Sequence, residues 1–212
     1  RRVLFRSHGS YNRGDLVSCT VWSTCPIGEG RAQEGTATND RVCTPCVAGA
    51  TYSDSIDGSA CHSVSGECAV GTYRSSTATA SNDRRCTECS FGTFKDRSGN
   101  HACTDWKSCP RGQGLSKAGS TTTDHVCVAC DGVSTYSSAN DASRCQAVSA
   151  PCFAGHYMSA SATASSDREC QGCGSGAFKS SQGNEQCSFW STCPLGQGEV
   201  NSGSATADRQ CQ

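Results

Sequence analysis

The sequence predicts a small disulfide-rich fold, mostly β-hairpins and loops with almost no helix, strung into an elongated tandem-repeat rod. Three observations carry that prediction. Nineteen of 212 residues are cysteine, while Leu, Ile, Val and Phe together make up only about one residue in nine. The motif Cys103-Thr-Asp-Trp106-Lys-Ser-Cys109 recurs at equal spacing on either side, at Cys19 to Cys25 and at Cys187 to Cys193, and Trp-less versions start midway at Cys61 and Cys145. Between the cysteines lie runs of Gly, Ser, Asn and Asp, which form turns and do not sustain helices.

The chain is therefore a 42-residue unit in two alternating flavours within an 84-residue super-repeat. Residues 1–18 read as a degenerate N-terminal unit. Repeats of the Trp type follow at 19–60 and 103–144, repeats without Trp at 61–102 and 145–186, and a partial Trp-type repeat at 187–212. So little apolar surface cannot hold small modules together unaided, and disulfides supply the missing constraint. Paired thiols in this number persist in an oxidising compartment, which places the chain outside the cell or on its surface. The net charge of −1, without a long basic or acidic run, gives no reason to expect nucleic acid or an anionic membrane as a partner. No apolar run reaches the length of a membrane span, and Arg1 to Phe5 is too short for a signal sequence. A start at Arg1 in place of Met reads as a processed protein or a slice of a longer one.

From Cys25 the intervals between successive cysteines run 18, 3, 15, 7, 18, 3, 14 and 6, and the same eight follow from Cys109 to Cys193. Pairing neighbours in order gives Cys25–Cys43, Cys46–Cys61, Cys68–Cys86, Cys89–Cys103, Cys109–Cys127, Cys130–Cys145, Cys152–Cys170, Cys173–Cys187 and Cys193–Cys211, with Cys19 left over. This pairing keeps every loop self-contained and the repeat translationally symmetric, although spacing alone leaves other connectivities open. Zinc is the competing use of Cys-x-x-Cys at 43/46, 86/89, 127/130 and 170/173, but no histidine recurs at a ligand position, so no metal or other cofactor is expected.

Each unit divides into a long and a short module. In the short one an aromatic follows the first cysteine by five or six residues: Tyr52, Phe94, Tyr136 and Phe178, expected to stack on the module's own bridge or on the next module. In the long one, counting from the first cysteine, a Ser or Thr stands at +11 and +13 and an Asp at +15: Asp40, Asp83, Asp124, Asp167 and Asp208. Alternation there predicts a short strand with the hydroxyls on one face, and the Asp is expected to cap backbone amides beside the closing cysteine. One carboxylate per module is too few oxygen ligands for calcium.

These motifs carry a resemblance. The Cys89-Ser-Phe-Gly-Thr-Phe94 start, the Cys-x-x-Cys junction and the Asp-Arg-x-Cys close of Asp40 to Cys43 are similar to the cysteine-rich repeats of the tumour necrosis factor receptor superfamily, from Cys19 to Cys211. The short loop resembles that family's module with a single bridge between its first two cysteines. The long loop resembles a reduced partner module that keeps one bridge. The commoner family repeat has six cysteines and crossed bridges, whereas this unit has four. Similar patterns occur in surface proteins of single-celled eukaryotes and in ephrin-receptor-like repeats.

No enzyme signature is present: the five histidines are scattered and no phosphate loop or metalloprotease motif occurs. Cys19 lacks a partner because the register puts that partner at position 5, which is Phe5, so a bond to another chain or to residues outside this segment is one expectation and a free thiol the other. Trp22, Trp106 and Trp190 each open a Trp-x-x-Cys, which resembles the acceptor for a carbon-linked mannose. Plain packing between modules is the alternative. Thr36, Thr38, Thr79, Ser81, Ser120, Thr122, Thr163, Ser165, Ser204 and Thr206 are candidate O-glycan acceptors, while no N-glycosylation sequon exists. The integrin-type tripeptide Arg13-Gly14-Asp15 is treated as chance.

Uniform spacing favours a non-enzymatic structural protein: a stapled rod that self-associates, or joins other extracellular subunits, in a filament, stalk or flagellar-hair-like appendage. A receptor-type ectodomain binding a protein ligand is the alternative, as binding faces usually break their repeats with insertions.

Overall fold

A computed structural model of the chain describes residues 9–12, 14 and 19–212. Among them there is no helix, and every strand belongs to a two-stranded antiparallel hairpin. The Arg13 and Asp15 expectation, and most of the degenerate unit 1–18, lie outside the described residues.

Two hairpin types alternate. In the long module Glu29–Gln33 pairs with Val42–Pro45, Arg31 opposite Cys43, and the register slips between Arg31 and Gln33. The same register and slip recur at Gln113–Lys117 with Val126–Ala129 and at His156–Ala160 with Glu169–Gly172. In the short module Thr51–Tyr52 pairs with His62–Ser63, and Tyr52 meets His62 with ring centroids 5.8 Å apart. Ser10–Tyr11 pairs with Thr20–Val21 in the same way, so the divergent first unit keeps its hairpin although Cys19 is a free, exposed thiol. No helix in the described residues is long and apolar enough to cross a membrane.

The buried interior is sulfur. Cys25, Cys68, Cys109 and Cys152 are at most 1 % exposed, and Tyr11 and Ala177 are the non-cysteine apolar residues that join the buried set among the described residues. The bridges run Cys25–Cys43, Cys46–Cys61, Cys68–Cys86 and Cys89–Cys103, then Cys109–Cys127, Cys130–Cys145, Cys152–Cys170, Cys173–Cys187 and Cys193–Cys211. Loops of this size each gain roughly 3 kcal/mol from closure in the chain-entropy account.

The hydroxyl-rich stretch before each Asp is a turn and not the strand that its alternation suggests. Thr36 Oγ1 accepts the N–H of Thr38 at 3.3 Å and of Asn39 at 3.0 Å, while the Thr36 N–H donates to Asn39 O at 2.9 Å. Thr79, Ser120 and Ser204 close equivalent turns. A hydroxyl two residues ahead of an amide offers the backbone a local acceptor, and here that local bond replaces the ladder.

The chain falls into two compact units, 1–105 with 120–123, and 106–119 with 124–212. Inside each, hydrogen bonds tie modules together at a fixed register. In the first, the Gly28 N–H donates to Ser53 O and the Ser53 N–H to Ala80 O, both at 2.9 Å. The Gly71 N–H likewise donates to Lys95 O and the Lys95 N–H to Thr121 O, again at 2.9 Å. In the second, Gly112 to Ser137 to Ala164 and Gly155 to Lys179 to Ala205 repeat the pattern at 2.8–3.0 Å. The donor glycines have φ between 74° and 87°, a left-handed conformation that suits glycine.

Peptide mapping without reduction is expected to return these nine bridges, and a peptide joining Cys43 to Cys61 would overturn the architecture. Replacing Cys46 and Cys61 together with Ala is expected to cost about 3 kcal/mol in urea unfolding.

Candidate functional site

Three groupings of side chains recur often enough to be candidates: the tryptophan seat, the aspartate clamp and a buried lysine. The seat is built by the turn that follows the long module's first strand. Trp22 Nε1 donates to Thr36 O at 3.2 Å and Trp190 Nε1 to Ser204 O at 3.0 Å. Directly under the rings lie Gly35, Gly119 and Gly203, where an added Cβ would sit 2.5, 2.6 and 2.4 Å from indole atoms. Above them, the Arg41 guanidinium lies 5.7 Å from the Trp22 centroid and that of Arg209 5.4 Å from Trp190, within cation–π range. His125 takes the same place over Trp106, at 4.8 Å and 8 % exposed. In the Trp-less copies the sequence puts Val64 and Val148 for Trp, and Ala78 and Ala162 for the glycine beneath it, so a large residue over a small one becomes two of middling size.

The aspartate clamp is present in every long module. Asp40 Oδ1 accepts the N–H of Ser23 and of Arg41, each at 2.8 Å, and its Oδ2 accepts the Ser23 hydroxyl at 2.6 Å. Asp208 repeats this with Ser191 and Arg209, and Asp83 and Asp167 do so with Ser65 and Ser149. Hydroxyl donation from these serines is the chief reason that the four carboxyls sit below their ordinary pKa, backbone amides adding to it. For Asp124 burial works against ionisation, but the N–H groups of Lys107 and His125 outweigh it and the pKa is again lowered. A second acid, Asp57, accepts the Ser59 N–H at 2.6 Å and the Ser55 hydroxyl at 2.8 Å, and is lowered chiefly by the former.

Sequence reasoning missed the lysines. Lys95, 2 % exposed, donates from Nζ to the carbonyls of Cys68 at 3.2 Å, Thr72 at 2.6 Å and Gly99, while Lys179, 6 % exposed, reaches Cys152 at 3.3 Å, His156 at 3.0 Å and Gly183 at 2.6 Å. Ser53 and Ser137 occupy the same register position in the other flavour, 3–4 % exposed. The available signal was a strict 84-residue alternation of Ser and Lys directly after the module's aromatic.

The Cys-x-x-Cys pairs offer no thiolates, since Cys43 is bonded to Cys25 and Cys46 to Cys61, and likewise at the other junctions. No three His, Cys, Asp or Glu gather at metal-holding distance among the described residues. Thr36 and the other turn-closing hydroxyls are exposed. Their partners two residues on pack inward in the middle modules: an added Cβ on Gly71 would lie 2.9 Å from Thr122 Cγ2.

With this geometry in place, two comparisons bear on it. Residues 7–43 and 173–211 match the TNFR/NGFR cysteine-rich region, and residues 76–125 match the tyrosine-protein kinase ephrin type A/B receptor-like region. In those two stretches the repeats are similar to the tumour necrosis factor receptor type. No curated protein matches the chain. Among solved structures, a chain of the human RANKL/OPG complex is 25% identical, with 77% of this chain and 97% of that one covered at a TM-score of 0.36. One from the mouse RANKL-OPG complex is 24% identical, with 65% and 96% covered at 0.32. At these scores the likeness carries no functional argument.

Because the clamp carboxyls have lowered pKa values when folded, the stability they contribute is present above the unfolded value near 3.8 and is lost as pH falls below it. Thermal unfolding is expected to be flat from neutrality to about pH 4 and to drop below that, with Asp83→Asn flattening the drop. Lys95→Met takes the ammonium donor from the carbonyls of Thr72 and Gly99 in a buried site, while Cys68 O keeps the Gly99 N–H, and is expected to cost about 2–3 kcal/mol in urea unfolding.

Proposed function

We propose that this chain is a non-enzymatic extracellular repeat segment whose work is mechanical, part of a filament, stalk or flagellar-hair-like surface appendage that assembles with copies of itself or with other extracellular subunits. The observation that carries this reading is the repeated pair of main-chain hydrogen bonds through Ser53, Lys95, Ser137 and Lys179. These bonds stay at 2.8–3.0 Å across two module flavours whose side chains differ. A segment selected for ligand contact has no need to keep that register through every copy, whereas a load-bearing array does. Disulfide density and the receptor-type repeats support an oxidising, extracellular setting.

A receptor-type ectodomain that binds a protein ligand is the second reading, favoured by the match to the TNFR/NGFR region at residues 7–43 and 173–211. Micrographs of native material are expected to show the chain within filaments or hairs, and isolated monomers holding a soluble protein ligand would replace the first reading with the second.

The same material carries the chemical checks. Carbon-linked hexose is proposed on Trp22, Trp106 and Trp190, and O-glycans on the exposed hydroxyls of Thr36, Thr79, Ser120, Thr163 and Ser204 ahead of those at Thr38, Ser81, Thr122, Ser165 and Thr206. Hexose absent from all three Trp peptides in mass spectra would remove the first. Cys19 is proposed to bridge to another chain, and a ladder on non-reducing gels that Cys19→Ser abolishes is the expected result.

A further inference from the structure

The two module flavours differ at the surface where a long module receives the short module that follows it, and the differences are complementary. On the Trp-type face the fifth residue after the first cysteine is Gly30 or Gly114, where an added Cβ would lie 2.2 Å from the backbone N of Cys61 or Cys145 and 2.7–2.8 Å from its Sγ. The closing bridge of the short module therefore rests on bare backbone. Three N–H groups of that face donate to the seated module: Cys25 to Asp57 O at 2.6 Å, Gly28 to Ser53 O at 2.9 Å and Arg31 to Ser59 O at 2.8 Å. Cys109, Gly112 and Leu115 do the same to Asp141, Ser137 and Ser143 at 2.7, 2.9 and 2.8 Å.

On the Trp-less face the fifth residue is Tyr73 or Tyr157, and the polarity at the cysteine is reversed. The residue four before the short module's closing cysteine, an Asp whose carbonyl accepts in the first flavour, is here Gly99 or Gly183. Its N–H donates to Cys68 O or Cys152 O at 2.9 Å. The Lys95 and Lys179 ammonium groups draw on the carbonyls around that same cysteine. A Lys module on the Trp-type face would set the Gly99-type N–H against the Cys25-type N–H, and a Ser/Asp module on the Trp-less face would set carbonyl against carbonyl and its bridge against a tyrosine.

We propose that the alternation is a matching code: the Trp-type face accepts only the Ser/Asp short module of the 46–61 and 130–145 kind, and the Trp-less face only the Lys module of 89–103 and 173–187. The long module 193–211 carries the same Trp-type register, with Gly198 at the position of Gly30 and Gly114. By the code this face accepts a Ser/Asp module joined in cis through a Cys-x-x-Cys junction, as at Cys43/Cys46 and Cys127/Cys130. The hairpin Ser10–Tyr11 with Thr20–Val21 precedes a tryptophan and so belongs to the Lys register, which rules it out as the complement. The code uses module geometry alone and stands with either functional reading.

The test extends the full chain at Gln212 with a second copy of residues 45–64 or, separately, of residues 88–106, and follows amide hydrogen exchange at Gly196 and Glu199. With 45–64 the appended bridge closes and both amides slow by about tenfold or more, while with 88–106 they stay at the unextended rate. Gly198→Ala is expected to leave the unextended chain unchanged and to abolish the protection in the 45–64 fusion. Equal protection by both modules, protection that survives Gly198→Ala, or a 45–64 copy that fails to close or closes without protecting, overturns the proposal. Protection of the unextended chain that grows with concentration would assign the face to a second copy and overturn it as well.

Discussion

Everything in this structure follows from how little hydrocarbon there is to bury. With Leu, Ile, Val and Phe so scarce, the interior of each module is a disulfide and the backbone around it, and the most deeply buried side chains are cysteines together with Lys95. Cross-links of this kind act on the unfolded chain by shortening its accessible loops, and they leave the folded surface nearly free of packing demands. That freedom explains why large apolar residues such as Phe91, Phe189 and Leu195 stand at 86 % exposure or more without unfolding anything. It also explains why module contacts are made by main-chain hydrogen bonds, since a core too small to dictate orientation leaves that task to directional bonds.

Polar side chains then take over jobs that apolar ones perform elsewhere. The aspartate clamp fixes the entry of the chain into each long module by gathering two amides on one carboxylate, with a serine hydroxyl added in four of the five copies and Lys107 in its place at Asp124, whether a tryptophan or a valine precedes it. The lysine ammonium gathers carbonyls where the other flavour places a serine and an aspartate turn. Each flavour therefore solves one geometric problem with opposite charge. The glycines make room: Gly35 for an indole, Gly30 for a bridge.

What was legible in the sequence was whatever depended on spacing. The 42-residue period, the absence of helix among the described residues, the hairpins and the similarity to receptor-type repeats all follow from intervals between cysteines and from turn residues, and intervals do not depend on surroundings. Thr36, Thr38 and Asp40 misled because period-two alternation is shared by a strand and by a hydroxyl-closed turn. The choice between them lies in where the Thr36 oxygen finds its donors. Lys95 was invisible for a related reason. A lysine among serines and glycines reads as solvated, and only the converging carbonyls of Cys68, Thr72 and Gly99 make its burial favourable.

The strictness of the alternation is the hardest feature to reconcile with a chain whose modules act independently. If each module were stapled only internally, Ser and Lys could be exchanged at positions 53, 95, 137 and 179 without consequence, and drift would scramble them. Their ordering with Gly30 and Tyr73, and with Trp22 and Val64, spans both a long module and the short one that follows it. The alternation is therefore a property of pairs of modules, expressed in the donors and acceptors that meet between them. Pairing of this kind fixes how each short module sits on the long module before it, which is the nearest-neighbour coupling expected of a repeat array.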